Sequence, residues 1–530
     1  MGRHAAGESF LRGYIQWSKT EDLYVFVETE QHAKSFQELY GNDCAHKSLH
    51  FLSPESIQRL TEPGVMFVPG PEIDGHSYRR QVFGAQSAWS ITGITHTTSS
   101  AVAMRSVINL LTSPVERWDA LICTSNAVKG HVESMLTEQS KFLKNRLGSS
   151  RNVMPELPVI PLGIHTKDFV FSEEDRISSR HKLGIEDSEI VVLYTGRLSF
   201  HAKAHPLVMY QAIEEAGLAA GQKIVLIESG WHGNEHIAAA FRDGAKFGCP
   251  SARVLRLDGR VKEQRNQGWA AADIFCSLPD NVQETFGIVP IEAMAAGLPV
   301  VVSDWNGYRD SIRDGLDGYR IPTIMPEEGM GMDLIQRYAA GVDSYDRYCG
   351  NTSSLISVDV DATIDAFYRL FSSRELRIKM GQDGQRRAVD VYDWETIIPQ
   401  YESLWTNLAS MRKEQSINTC SNRSPVWLDP FYAFRGYPTT RLGLDTGLKL
   451  RHGSLGQSLK HLQSLNALAM VNFAAHVMPS MDEAEKVIHS LVGCEKTVDE
   501  ILRLFPAEES QHLRRSLVWM LKLGILSRCQ

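Results

Sequence analysis

The sequence has no large excess of charge of either sign. Its 530 residues include 55 Lys and Arg against 63 Asp and Glu, which gives a formal net charge of −8. A protein that coats nucleic acid needs a strongly positive surface, so this balance disfavours that function. With 43% hydrophobic and 22% charged residues, the chain is expected to fold around two or three packed cores.

Cysteines are few and far apart. No two of the eight have Cys-x-x-Cys spacing; they are Cys44, Cys123, Cys249, Cys276, Cys349, Cys420, Cys494 and Cys529. This spacing argues against a zinc knot and against a disulfide framework, and it favours reduced thiols. The N-terminus also lacks the apolar stretch of a secretory signal. We therefore expect a cytoplasmic protein.

The sequence contains no hydrophobic run that could span a membrane. The longest nearly apolar stretch, 285–303, carries Glu292 and is broken by Pro290, Gly297 and Pro299, so it predicts a helix followed by a strand.

Peripheral contact with a membrane is a separate question. A helix is expected over 135–147, and it carries Lys141, Lys144 and Arg146. These cations could meet anionic lipid, but a solvated helix face is the simpler interpretation.

Short β-branched runs alternate with helical patterns from Tyr24 to about Leu408. This alternation predicts an α/β protein with parallel sheets between helical layers. The expected strands include 23–28, 120–124, 190–194, 223–227 and 299–303. We predict two Rossmann-like domains over 1–160 and 161–411, with the last helix crossing back to the first domain. A linker over 412–426 and a third domain over 427–530 follow.

The last hundred residues have a different character. Ser480 to Glu483 and Thr497 to Glu500 both have the capping-box pattern that starts a helix. Three helices followed by a short Gly-Ile-Leu strand at 524–526 suggest a winged-helix-like domain. Packing within the chain or against a second copy is the first role expected for it. Peptide or protein recognition comes second, and nucleic-acid binding is the least favoured.

The clearest chemical signal lies in residues 284–303. Gly287 and Ile288 open a predicted helix whose first turn tolerates Pro290, so free amides and the positive end of the helix dipole can bind an anion. Glu284 lies just before this helix, and Glu292 lies one turn past Ile288. Two carboxylates can therefore flank a bound phosphate and accept hydrogen bonds from sugar hydroxyls.

A second signal follows the strand at 190–194. Gly196 and Arg197 end this strand, and Lys203 lies six residues after Arg197. The two cations could neutralise one diphosphate, whose negative charge grows as its bond to a sugar breaks. No metal would then be needed, and the predicted cleft loops contain no Asp-x-Asp pair or His cluster with ligand spacing.

These residues resemble glycosyltransferase family 4, retaining enzymes of the GT-B fold that use nucleotide sugars. The E-x7-E motif at Glu284 and Glu292 and the GRL…K pattern at Arg197 and Lys203 carry the resemblance. It extends over roughly residues 5–408 and is strongest over 191–322. Further matching stretches are Pro161-Leu-Gly-Ile164, Ala270 to Phe275 and Asp393-Trp394.

The resemblance implies roles for individual residues. Glu284 would contact the donor sugar, and Glu292 would bind the ribose. Arg197, Lys203 and the amides of Gly287, Ile288 and Val289 would hold the diphosphate. His96, in Ile94-Thr-His96-Thr-Thr98, would lie near the reacting sugar, although a surface histidine is an equal alternative. The implied catalytic set is His96, Arg197, Lys203 and Glu284, and the implied donor-binding set is Gly7, Gly196, Arg197, Lys203, Phe286, Gly287, Ile288, Val289 and Glu292.

One part of the sequence departs from the family pattern. The family has a glycine-rich loop after its first strand, but here Gly2 to Gly7 stand at the start of the chain with no apolar strand ahead of them. Either residues precede Met1 or the first sheet is built differently, and Gly7 is the corresponding site residue. The segment 305–309, which contains Asn306-Gly307, could line the nucleotide base or could simply form a turn.

The sequence therefore predicts a retaining glycosyltransferase that uses a nucleotide-diphosphate sugar, with a UDP-sugar favoured and no other cofactor. The acceptor is open: a glycan, a lipid-linked sugar, a small molecule, or a peptide or protein. One alternative is a sugar-nucleotide-binding regulator or adaptor acting through the C-terminal domain, where 493–501 resembles PqqD-like modules that dock peptides. A GT-B epimerase is another. A second copy of the chain is a further candidate partner.

Overall fold

The computed structural model describes residues 2–414 and 424–529. The chain forms two compact units, Met1–Trp427 and Leu428–Gln530. Most of the linker predicted over 412–426, and Cys420 with it, lies outside the described residues. The predicted α/β class with parallel sheets is confirmed in the first unit, and the predicted domain boundary near residue 160 stays a prediction.

The N-terminal half of the first unit holds two small parallel sheets. Strand β1 pairs with β2, and β3, β4 and β5 form the second sheet in that order. Every residue of β4 is buried, as expected for a strand covered by helices on both faces. The elements are α1 (Gly2–Trp17), β1 (Asp22–Phe26), α2 (Glu30–Tyr40), β2 (Ser48–Leu52), a 3₁₀ helix (Pro54–Thr61), β3 (Val65–Val68), α3 (Ile73–Val82), β4 (Ser90–Ile94), α4 (Ala101–Asn109), β5 (Ala120–Ile122) and α5 (Asn126–Leu147).

The C-terminal half of the first unit is built on one six-stranded parallel sheet. Its order is β11-β10-β9-β6-β7-β8. The strands are β6 (Ile190–Leu198), β7 (Ile224–His232), β8 (Arg253–Asp258), β9 (Ile274–Ser277), β10 (Val300–Ser303) and β11 (Gly318–Ile321). The chain builds outward from β6 in one direction and then returns to β9 on its other side. The strand order therefore reverses between β6 and β9, where open α/β sheets bind their ligands.

Helices cover both faces of this sheet. Those up to β11 are a 3₁₀ helix (Thr166–Phe169), α6 (Glu173–Lys182), α7 (Leu207–Ala220), α8 (Glu235–Gly248), α9 (Lys262–Ala271), α10 (Ile288–Ala295) and α11 (Tyr308–Ser311). A further segment after β11 contains β12 (Thr323–Ile324), α12 (Met332–Ala339), α13 (Tyr345–Ser353) and β13 (Ser357–Val358). The unit continues with α14 (Val360–Ser372), α15 (Arg374–Tyr392) and α16 (Trp394–Glu414). None of the described helices is both long and apolar enough to cross a membrane.

Helix α16 joins the two halves. At its start, Trp394 donates a hydrogen bond from Nε1 to Ser9 Oγ at 2.8 Å. Further along, Trp405 Nε1 donates to Thr92 Oγ1 at 3.2 Å, and Arg412 Nη1 donates to the carbonyl of Gly64 at 2.7 Å. The backbone amide of Trp394 also donates to the carbonyl of Ile164, at the beginning of the C-terminal half, at 3.2 Å. The helix therefore begins beside the C-terminal half and ends against β4 and the residue before β3.

The second unit is mainly helical, as predicted. Its central strand β14 pairs antiparallel with β15 and β16 on either side. Both predicted capping boxes are confirmed, at Ser480 with Glu483 and at Thr497 with Glu500. The elements are α17 (Pro430–Ala433), β14 (Gly447–Leu450), α18 (Leu455–Asn466), α19 (Ala469–Asn472), α20 (Met481–Ser490), β15 (Lys496–Thr497), α21 (Val498–Leu502), α22 (Ser510–Lys522) and β16 (Leu526–Arg528), with 3₁₀ helices at Ala475–Val477 and Ala507–Glu509. The winged-helix assignment stays a prediction.

Within the N-terminal half, a fully buried ion pair joins α3 to the residue before β5. Arg80 donates from Nη1 and Nη2 to the two carboxylate oxygens of Asp119, both at 2.7 Å, and both side chains are completely buried. Asp119 also accepts hydrogen bonds from the amides of Ile91 and Glu116, each at 2.8 Å. One carboxylate therefore satisfies donors from three segments.

We expect Asp119→Ala to lower the free energy of unfolding by about 3–5 kcal/mol, because it leaves the Arg80 charge buried and unpaired. Chemical denaturation measures the change. Glu62→Ala, which breaks an exposed pair with Arg59, is the control, and little change is expected from it. Equal effects of the two substitutions would contradict this assignment.

Candidate functional site at the strand-order reversal

The loop after β9 carries Glu284 to a sharp turn at Gly287. Gly287 caps α10 with φ +82°, a conformation that L side chains rarely adopt. A Cβ at this position would lie 1.6 Å from Cε1 of Tyr308, whose side chain is fully buried. Only glycine therefore lets the loop turn into α10 at this point. The first amides of α10 have no carbonyl of their own helix to bond and are available to an anion.

A second turn, at residues 305–309, is hydrogen-bonded to the loop that carries Glu284. Asn306 has φ 45°, and its Nδ2 donates to the carbonyl of Glu284. Trp305 Nε1 donates to the carbonyl of Asn281 at 3.1 Å. A Cβ on Gly307 would lie 2.5 Å from the Phe286 carbonyl oxygen. The 305–309 segment thus makes a turn whose side chains hold the backbone of the site.

The two predicted cations lie at the end of β6 and just after it: Arg197 is in the strand, and Lys203 is on the loop that follows. Lys203 forms an ion pair with Glu284, and both side chains are mostly buried. Arg197 Nη2 donates to the carbonyl of Ala202 at 2.8 Å, which fixes its side chain against the loop that carries Lys203. A Cβ on Gly196 would lie 3.7 Å from Cε of Lys203. The structure therefore brings Gly196, Arg197, Lys203 and Glu284 together.

Glu292 joins this group from the second turn of α10. Burial raises its pKa to about 7, while the charges of Arg265 and Lys203 act in the opposite direction. Arg265 is a basic residue of this site that the sequence analysis missed. It lies on α9, far from either motif in the chain, and its position in an ordinary polar helix gave no signal.

Hydrogen bonds from the N-terminal half reach the same loop. Thr285 Oγ1 donates to the carbonyl of His96 at 3.0 Å, which places the backbone of His96 against the residue that follows Glu284. Ser125 Oγ donates to the carbonyl of Thr285 at 2.9 Å. Asn126 donates its amide to Asp310 Oδ2 at 2.6 Å. The sequence analysis missed Thr285 and Ser125, because their roles depend on residues of the other half.

One predicted donor-binding residue, Gly7, lies in a different structural element from the one expected. Gly7 is not in a loop, because 2–17 form helix α1, which packs against α16. The expectation of a glycine-rich loop at the N-terminus was therefore wrong. The side chain of Phe286 is 2% exposed and belongs to the core, so only its backbone can face a ligand. Ile288 and Val289 lie in the first turn of α10, where their amides have no carbonyl of the same helix to bond.

The described residues contain no group of three or more His, Cys, Asp or Glu side chains arranged to hold a metal ion. The positive charge at the site comes from Arg197, Lys203 and Arg265 and from the start of α10.

A comparison with known protein families matches the part of the chain that contains this site. Residues 189–342 match a family model described as Glycosyl transferases group 1. The chain is 30% identical over 169 residues to a D-inositol 3-phosphate glycosyltransferase from a Nocardioides species, covering 30% of this chain and 36% of that protein. It is 25% identical over 201 residues to a lipopolysaccharide 1,2-N-acetylglucosaminetransferase from Salmonella typhimurium, covering 37% and 50%. The chain therefore spans half or less of these relatives.

Solved structures resemble a larger part of the chain. The Anabaena protein Alr3699/HepE in complex with UDP and glucose superposes with a TM-score of 0.49 at 14% identity, over 77% of this chain and 96% of that one. Sucrose-phosphate synthase from Thermosynechococcus elongatus gives a TM-score of 0.42 at 15% identity, over 69% and 84%.

We expect Gly287→Ala to lower the free energy of unfolding by at least about 3 kcal/mol, because its Cβ collides with the buried Tyr308 ring. Gly315→Ala is the matched control. Its φ is +73°, but no atom lies within 4 Å of the added Cβ, so only the backbone strain of about 1 kcal/mol remains. Denaturant unfolding measures both variants. Similar losses in the two would show that the Tyr308 contact does not matter.

The raised pKa of Glu292 predicts a pH-dependent stability. Between the pKa of an ordinary Glu and about pH 7 the folded state keeps the Glu292 proton while the unfolded chain has lost it, so this carboxyl makes the protein less stable as the pH rises to about 7 and has no further effect above it. The free energy of unfolding of Glu292→Gln minus that of wild type should therefore increase by about 2 kcal/mol when the pH is raised from 5 to 8. The exposed Glu375→Gln is the control. A difference from wild type that is the same at both pH values would contradict the prediction.

Proposed function

We propose that this chain, whose residues 189–342 belong to the glycosyltransferase group 1 family, transfers a sugar from a nucleotide-diphosphate sugar to an acceptor hydroxyl. One observation supports this function above all: Lys203, Glu284 and Glu292 converge beside the first turn of α10, at the reversal of strand order. Cations and helix amides there suit a diphosphate, and carboxylates on either side suit sugar hydroxyls.

In the proposed reaction, the leaving group is the nucleoside diphosphate. As the bond between the anomeric carbon and the phosphate oxygen breaks, negative charge builds up on the diphosphate. Arg197, Lys203 and the amides of Gly287, Ile288 and Val289 would stabilise this charge without moving. These groups supply the positive charge that a metal ion provides in other phosphate sites, so we propose a metal-independent enzyme.

The ion pair between Lys203 and Glu284 suggests how the free site accommodates the donor. In the free protein these two charges satisfy each other. When the diphosphate binds, Lys203 can turn its ammonium group to the phosphate, and Glu284 then becomes free to accept hydrogen bonds from the donor sugar. Glu292, whose pKa is about 7 in the free site, would accept from the ribose hydroxyls.

We propose that the transfer retains the configuration of the sugar. The acceptor oxygen would attack the anomeric carbon from the face that the diphosphate leaves. The departing phosphate oxygen would take the acceptor's proton, so no side-chain nucleophile is required. The products are the glycosylated acceptor and the free nucleoside diphosphate. His96, held beside Glu284 through Thr285, would line the sugar subsite. We propose a cytoplasmic enzyme whose donor is a UDP-sugar, with the acceptor still to be identified.

A ligand screen tests the donor class. UDP-, GDP- and ADP-sugars are added to the full chain, and the melting temperature is followed. A donor at about 100 times its Kd should add about 2.7 kcal/mol of apparent stability. Stabilisation by UDP-sugars alone would support the proposal. Stabilisation by none of the three classes would contradict it.

We expect Arg197→Ala and Lys203→Ala each to lower kcat by about a hundredfold, since a charged contact in the transition state contributes about 3 kcal/mol. Release of UDP from a UDP-sugar, with and without acceptor, gives the rate. Lys223→Ala removes a well-exposed cation and serves as the control. Full kcat in either site variant would contradict the assigned role of that cation.

A further inference from the structure

A large cavity lies next to the proposed diphosphate site and has no role in the reaction described above. Its volume is about 960 Å³. Its walls are the loop 200–205 after β6, the start of α7, helix α13 and the start of α14. This volume is at the upper end of the range for small-molecule pockets, so the cavity has room for more than one sugar ring.

The cavity shares its walls with the proposed active site. His201 and His205 line it from either side of Lys203 in the sequence, and Asp280 lines it four residues before Glu284. Helix α13, on the opposite wall, also contacts the N-terminal half. Its Tyr345 hydroxyl is 2.7 Å from Ser99 Oγ, three residues after His96. A ligand in the cavity would therefore lie close to both halves of the site.

Asp280 is the most unusual group in these walls. Its side chain is 6% exposed, and its Oδ1 has no hydrogen-bond partner among the residues that the structure describes. Burial raises the pKa of Asp280 to about 7, although the backbone amide of His205 acts in the opposite direction. A buried carboxyl oxygen without a donor is costly. Because Asp280 is one of the residues that line the cavity, a ligand hydroxyl that displaces the neighbouring side chains far enough to reach its carboxyl group would offset this cost.

The other lining groups indicate which ligand fits. Phe200 offers an apolar ring surface, and Asn351 and Ser344 offer polar groups that can both donate and accept hydrogen bonds. The charges do not favour an anion. Among the residues that the structure describes, Arg347 is the only Arg or Lys that lines the cavity, and its Nε lies 3.6 Å from Asp343 Oδ1. An aromatic ring, carboxyls and amides without excess positive charge suit a neutral polyhydroxylated ligand better than a phosphate.

We propose that this cavity binds a neutral carbohydrate or polyol unit of the acceptor, away from the reacting hydroxyl, with Asp280 accepting hydrogen bonds from its hydroxyls. The assignment of this unit to the acceptor rests on the proposed function. Binding of a free sugar in the cavity does not, and it can be measured without turnover.

The test uses the full chain with saturating UDP, which blocks the donor site. Glucose, mannose, galactose, N-acetylglucosamine, myo-inositol and maltose are each titrated by saturation-transfer NMR. We expect at least one to bind in the presence of UDP and to bind at least tenfold more weakly to Asp280→Asn. The exposed Asp187→Asn is the matched control and should bind as wild type does.

A second variant guards against misfolding of Asp280→Asn. Ser354 lies on the exposed rim of the cavity, and Ser354→Trp should fill the space and exclude the sugar. The affinity for UDP and the melting temperature report on folding in both variants. Failure of UDP to bind would count against the proposed function but would leave the sugar titration interpretable.

Three results would overturn the cavity assignment. The first is that no probe binds the wild-type protein with UDP present. The second is that UDP displaces the sugar, which places it in the donor site. The third is that both variants bind it as wild type does. Competition by inorganic phosphate or by methylammonium, tested in parallel, would instead identify an anion or amine site and would also contradict the proposal.

Discussion

The left-handed turn at Gly287 is the constraint on which the proposed site depends. It lets the chain leave the Glu284 loop and enter α10 within one residue, while the buried Tyr308 ring occupies the space where a Cβ would lie. Because Asn306 bonds the carbonyl of Glu284 from the next loop, the position of this carboxylate is fixed from two sides. The amides of α10, Glu284 and Glu292 are thus held as one rigid group.

In the free site, the charges of Lys203, Glu284 and Glu292 are accommodated by neighbouring groups. Lys203 is paired with Glu284, and the neutral form of Glu292 is favoured by burial near neutral pH. An anionic donor would therefore enter a site whose cations are already positioned, and the main change on binding would be an exchange of partners by Lys203. Such preorganisation lowers the cost of stabilising charge in the transition state, because few groups have to move.

The segment between β12 and β13 lies beside the loops of the candidate site. Its helix α13 forms one wall of the cavity and also contacts residues just after His96 through Tyr345. The same element thus links the two halves of the first unit and shapes the space beside the reacting group. Under the proposed assignment of the cavity, acceptor selection would lie in a segment outside the six-stranded sheet.

The sequence by itself determined the parallel α/β architecture and named most of the residues that meet at the candidate site. The β-branched runs at 190–194 and 299–303 predicted buried strands, and Arg197, Lys203, Glu284 and Glu292 stood in recognisable local motifs, because both signals depend on residues close together in the chain. Tertiary structure alone decided the rest. Gly7 lies in a helix, and the charge of Arg265 on α9 lowers the pKa of Glu292. Thr285 donates a hydrogen bond to the carbonyl of His96, and Asp280 lines a cavity together with α13. Each of these depends on contacts between distant segments, and such contacts are set by how the helices pack and leave no local pattern in the sequence.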